Sequence, residues 1–167
     1  MHVDQDIVGE FTGCQDFIAS AFGGLSLVRF SGARSEFFTH PVPLDSARMK
    51  ILRRHLMLFY TGVSRHASEV AASQVAVFDG KTAILERMAE MAEEGQRLLM
   101  DNRLREFGFL LEDAWALKRG LGASNDEMDA LHDAAVKAGA WGAKLLGAGK
   151  GGFMLVAADP TMHRAVE

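Results

Sequence analysis

Residues 145–160, "LLGAGKGGFMLVAADP", place four glycines and a lysine between two apolar runs. The flanking runs predict two strands, and the glycines between them predict a tight strand-to-strand turn. Glycine reaches backbone conformations closed to other residues, so successive turn amides can also gather around an anion, with Lys150 adding charge. The stretch fits neither standard nucleotide fingerprint: no Ser or Thr follows the lysine, and a strand rather than a helix comes next. On its own it reads either as a hairpin turn or as an anion cradle.

Working back from this hairpin, "SNDE" at 124–127 has the form of a capping box, with Ser124 as cap and Glu127 three positions on, opening a helix over Asn125–Ala138. A helix over Arg103–Lys118 carries Phe107, Leu110, Leu111, Ala114, Trp115 and Lys118 on one face and ends at Gly120 and Gly122. Lys118 and Arg119 close it where carbonyl dipoles favour cations. Another helix covers Lys81–Met100, with Met88, Met91 and Met100 as core residues. Upstream, "HLMLFYTG" reads as a buried strand and Ser64 as the cap of a helix reaching Val77 or Phe78. A helix begins near Asp45 with Met49 and Leu52 inward. "LSLVRF" at 25–30 is a strand, and "SEFFTHPVPL" is an extended piece that Pro41 and Pro43 confine to an edge or loop. Pro160 starts a final helix. Strands, then helices, then a hairpin make an α+β chain rather than a doubly wound parallel sheet.

Composition narrows the function. With 167 residues, 49 % apolar and a net charge of −4, the chain can bury a core and lacks the basic stripe that nucleic-acid binding needs. No apolar run approaches the ~20 residues of a membrane span, and the N-terminus lacks the pattern of a signal peptide, so a cytoplasmic setting is expected. A single cysteine, Cys14, allows neither an internal disulfide nor a cysteine metal cluster, and the six histidines show no ligand spacing, so no metal site is expected.

Two further segments offer chemistry. In "GEFTGCQDFIASAFGG", Asp16 follows a glycine turn and opens a short helix, as a capping residue or as a general base for a substrate hydroxyl. In "FYTGVSRHASEV", Tyr60, Thr61 and Gly62 end a strand while Ser64, Arg65 and His66 begin a helix. Arg65 is a solvated side chain or, placed against the helix dipole, a ligand for an anion. His66 reads as a surface residue.

Taken in order, "GCQDFIASAFGGLSLVRF", "LMLFYTGVSRHASEV", "FGFLLEDAWALKRGL" and "GAKLLGAGKGGFMLV" resemble the GHMP kinase superfamily, in particular its heptose 7-phosphate kinase-like sugar-kinase branch. The resemblance implies a C-terminal-type domain over 45–167, a ferredoxin-like antiparallel sheet packed with helices, preceded over 1–44 by the tail of a nucleotide and substrate domain. It implies ATP and Mg2+ as cofactors and phosphoryl transfer to a sugar hydroxyl, heptose 7-phosphate first, with galactose or fucose as other acceptors. Asp16 matches the acidic residue that serves the acceptor hydroxyl, and Arg65, Thr61 and Gly62 fall in the segment that lines the sugar site. Gly147, Gly149, Lys150, Gly151 and Gly152 match the C-terminal glycine motif that supports the phosphate loop, where Lys150 replaces a usual glycine. The Pro-x-Gly-x-Gly-x-Ser-Ser-like phosphate loop itself has no match, so the main ATP and Mg2+ ligands are expected outside this chain and the chain alone is expected to be inactive. The alternative is a non-catalytic binding or interaction domain. The strand at 25–30 is expected to expose an edge and an apolar face, and so to drive self-association.

Overall fold

The computed structural model describes residues 14–31, 36–64 and 80–167. A short helix α1 (Gln15–Phe22) leads into a two-stranded antiparallel sheet of β1 (Ser26–Phe30) and β2 (Phe37–Pro41). Helix α2 (Ser46–His55) follows, its first turn closed by the Asp45 carboxylate accepting from the Arg48 amide at 2.8 Å. Strand β3 (Leu56–Tyr60) continues directly from it. The expected helix starting at Ser64, with Arg65 and His66, lies outside the described residues. Beyond it come helices α3 (Thr82–Met100), α4 (Leu104–Gly120) and α5 (Asp126–Lys137), then strands β4 (Gly142–Leu145) and β5 (Phe153–Ala157). A 3-10 turn at Pro160–Met162 passes into α6 (His163–Val166), the final helix expected at Pro160.

β4 and β5 form the hairpin expected around the glycines, and β5 also pairs antiparallel with β3, giving the order β3-β5-β4. The architecture is the expected α+β one. Inward-facing Leu145, Met154 and Val156 meet Trp115 of α4 and Met128 of α5, with Met57 and Phe59 of β3 at the margin. A second cluster joins Met91 and Leu98 of α3 to Leu110 and Ala114 of α4. Burial of these apolar side chains is what holds the helices on the sheet.

Four local expectations are corrected. β3 is not buried: it is an edge strand, and the alternation that turns Met57 and Phe59 inward leaves Leu58 and Tyr60 57 % and 56 % exposed. The cap of α5 is Asn125, whose side-chain oxygen accepts from the Met128 amide at 2.9 Å; the Ser124 hydroxyl instead donates to Asp129 at 2.6 Å. α4 runs past Lys118 to Gly120. Met100, at the last position of α3, is exposed.

β4 comes close to α4 at Gly142. A Cβ there would press into the Gly108 carbonyl oxygen and come within 3.0 Å of the Glu112 amide nitrogen. Because helix backbone cannot yield as a flexible side chain can, Gly142→Ala should cost about 2–3 kcal/mol, the upper part of the overpacking range. Urea denaturation of the two proteins measures this; a cost below 1 kcal/mol on the order set by measurement error would contradict so tight a contact.

Candidate active site

A cavity of about 400 Å³ opens on the outer side of the three-stranded sheet. Asp16, in the first turn of α1, forms part of its wall. Leu58 and Tyr60 of β3, Phe153 of β5 and the loop glycines Gly147, Gly149, Gly151 and Gly152 form much of the rest. The outward residues of β3 are therefore site residues, and Tyr60 and Phe153 touch ring to ring, with centroids 5.3 Å apart. Asp16 and the glycine loop, 131 positions apart by subtraction of 16 from 147, share one cavity.

Loop 146–152 is held from two sides. On one side the Thr61 amide and hydroxyl both donate to the Gly152 carbonyl, at 2.9 and 3.0 Å, and the Gly152 amide donates to the Val63 carbonyl at 2.8 Å. On the other, the Lys150 amide donates to the Ala123 carbonyl at 2.9 Å. Gly149, at φ +113°, sits so close to Ala123 that a Cβ would press into the Ala123 carbonyl oxygen. Thr61 and Gly62 thus border the described cavity lining without entering it, and the Thr61 hydroxyl is spent on the loop. Lys150 is also outside that lining and has φ +58°, a left-handed conformation that costs an L-residue about 1–2 kcal/mol. Arg65 lies outside the described residues.

Beneath the loop is Lys118, only 9 % exposed, whose Nζ donates to the Leu145 carbonyl at 2.8 Å and the Gly147 carbonyl at 2.6 Å. The sequence reading gave this lysine to the carbonyl end of its own helix; instead it crosses to the end of β4. The available signal was its place on the apolar face with Ala114 and Trp115, where an unpaired lysine is costly. Burial, assisted by the nearby Lys144 ammonium, lowers its pKa from 10.5 to about 8. Alongside, the nearly buried His132 bonds Glu112 through Nε2 at 2.8 Å and Asp133 through Nδ1 at 3.0 Å. Glu112 also accepts from the Ala143 amide at 3.4 Å, tying α4 and α5 to β4.

The amides of Gly147 and Gly151 have no hydrogen-bond partner among the described residues. Unpaired amides in a turn suit the phosphate end of a nucleotide. Mg2+ is not matched in the same way: among the described residues no group of three or more His, Cys, Asp or Glu could hold a metal ion.

Residues 84–165 match the family model described as GHMP kinases C terminal. The chain carries a GHMP kinase C-terminal domain. The matched segment runs from α3 to α6 and includes the whole glycine loop. The chain is 26 % identical over 164 residues to D-glycero-alpha-D-manno-heptose 7-phosphate kinase of Campylobacter jejuni, covering 95 % of this chain and 48 % of that protein. The chain therefore spans about half the length of this relative. The crystal structure of L. major mevalonate kinase with R-mevalonate superposes with a TM-score of 0.72 at 21 % identity, over 90 % of this chain and 45 % of that one. A D-glycero-D-manno-heptose 1-phosphate kinase of B. thetaiotaomicron gives the same TM-score and identity, over 99 % and 44 %. At such identities the structures establish the fold.

Lys118 supplies a pH prediction. The unfolded chain keeps its proton up to 10.5, whereas the folded chain releases it near 8. Between these values the unfolded state binds more protons, so this lysine makes stability rise with pH, and below about pH 8 the full cost of the buried charge is present. A neutral amine retains two N–H bonds for the two carbonyls. The denaturation midpoint of the wild type should rise relative to Lys118→Met across that window. Parallel pH profiles for the two proteins would contradict it.

Proposed function

We propose that this chain is the C-terminal portion of an ATP-dependent sugar kinase acting on a heptose 7-phosphate. The observation that carries the reading is the cavity shared by Asp16 and the glycine loop, on a GHMP kinase C-terminal domain. Asp16 accepts, or orients, the proton of the acceptor hydroxyl. The loop, fixed by Lys118, Ala123, Thr61 and Val63, presents its unpaired amides to the phosphate end of the nucleotide. ATP, when bound, supplies the γ-phosphoryl group. Catalysis of this transfer is mostly positioning and charge stabilisation, so fixed loop geometry is the contribution the reaction requires.

Arg65 belongs to this reading as a contact to the sugar or its phosphate, and Thr61 and Gly62 as the border of the sugar site. In this reading Mg2+ and the main ATP ligands come from outside this chain, and the chain alone is inactive. The heptose acceptor rests on the similarity to the Campylobacter jejuni D-glycero-alpha-D-manno-heptose 7-phosphate kinase.

Calorimetric titration with heptose 7-phosphate, galactose and fucose, beside an ATP-turnover assay, tests the reading. Heptose 7-phosphate should bind most tightly, and Asp16→Asn should weaken it about tenfold, as loss of a charged hydrogen bond does. Turnover at the ~1–100 per second of kinases would overturn the inactivity of the chain. Tighter binding of galactose or fucose would overturn the acceptor.

We further infer self-association through the N-terminal hairpin. Phe30 and Phe38 of the hairpin, and Phe22 at the end of α1 before it, are each about 60 % exposed, an apolar surface that favours association. Sedimentation velocity should show a concentration-dependent dimer or larger species. A single monomeric boundary at every concentration would contradict it.

A further inference from the structure

A second cavity, of about 290 Å³, lies between β1 and the helices α3 and α4. Met91, Leu99, Phe107 and Leu110 give it an apolar wall, closed from the hairpin side by Leu27 and Val42. Its described lining contains no acidic residue and one formal charge, the Lys144 ammonium. Lys144 stands on β4 between Ala143 and Leu145, both fully buried, so its side chain leaves the sheet on the face opposite the main core. Its ammonium has no hydrogen bond or ion pair with any described residue. Burial alone lowers its pKa below the ordinary lysine value, with no neighbouring carboxylate to counter the effect. The adjacent ammonium, Lys118, is already engaged with two carbonyls and adds positive charge.

A partly desolvated cation facing an apolar cavity without a counter-ion is unfavourable, and an anion entering the cavity relieves it. A doubly charged phosphate would leave one of its own charges unpaired among methionine and leucine side chains, whereas a monoanion is neutralised by one lysine. An apolar tail would in turn remove the cavity wall from water.

We propose that this cavity binds an amphipathic organic monocarboxylate, with the tail among Met91, Leu99, Phe107 and Leu110 and the carboxylate on Lys144. The proposal is independent of the phosphoryl-transfer reading, since none of these residues lines the glycine-loop cavity.

Isothermal titration of the 167-residue chain with octanoate, octan-1-ol and acetate tests it. Octanoate should bind at least about tenfold more tightly than octan-1-ol, which has the tail without the charge, and than acetate, which has the charge without the tail. Lys144→Met should lose about tenfold in octanoate affinity, while Lys144→Arg should stay close to wild type. Ala92→Phe, at an exposed position of the lining, should also weaken octanoate with the lysine intact. Thermal midpoints of the variants within a few degrees of the wild type show that each has folded. Absence of octanoate binding, equal affinity for octan-1-ol, or unchanged affinity in Lys144→Met would overturn the proposal.

Discussion

The Lys118 side chain, donating to the carbonyls of Leu145 and Gly147, is the contact on which the arrangement of the site depends. A loop of four glycines has no side chains with which to fix itself, and each glycine has much conformational entropy to lose. Lys118 satisfies two carbonyls at the point where β4 gives way to that loop, and does so from the last turns of α4, a helix seated in the core. Its buried ammonium is costly, and the two carbonyl dipoles offset part of that cost. The Ala123 and Val63 carbonyls and Thr61 complete the frame from the opposite directions. The result is a turn held by helix, strand and connecting segment at once.

Both cavities are lined from the outer face of the three-stranded sheet, one by Leu58, Tyr60 and Phe153 and the other by Lys144. Alternation along the strand sends Leu145 into the core beneath the glycine loop and Lys144 toward the other cavity. The two ammonium groups lie near each other but differ in partners: Lys118 donates to two backbone carbonyls, and the Lys144 ammonium has no partner among the described residues. His132 and Glu112 keep β4 registered against α4 and α5, so that neither side of the strand can shift without disturbing the other.

Much of the fold was legible in the sequence. The glycine stretch bounded by apolar runs gives the β4–β5 hairpin, and the periodicity of Leu98, Leu110, Ala114 and Trp115 gives the helices that cover it. What escaped was decided by tertiary neighbours. The apolar run at Leu56–Tyr60 has the composition of a buried strand, yet an edge position leaves Leu58 and Tyr60 as cavity wall. Ser124 and Asn125 are both good caps, and only the extended backbone at Asn125, φ −148°, decides between them. Of the site, Asp16 and the glycines were visible as residues capable of chemistry, and the structure puts them on one cavity. The role of Lys118 was hidden because its partners are backbone carbonyls distant in the chain, which no side-chain pattern reports. Lys150, by contrast, contributes its amide to the loop frame, while its left-handed backbone is strained.

The central claim, that Lys118 fixes the shape of the glycine loop, is tested most directly by amide hydrogen exchange of that loop. In the wild type the Lys150 and Gly152 amides, bonded to Ala123 and Val63, should be protected. In Lys118→Met both should exchange much faster while the β5 amides of Met154 and Val156 keep their protection. Loop protection that persists unchanged in the variant would contradict the account.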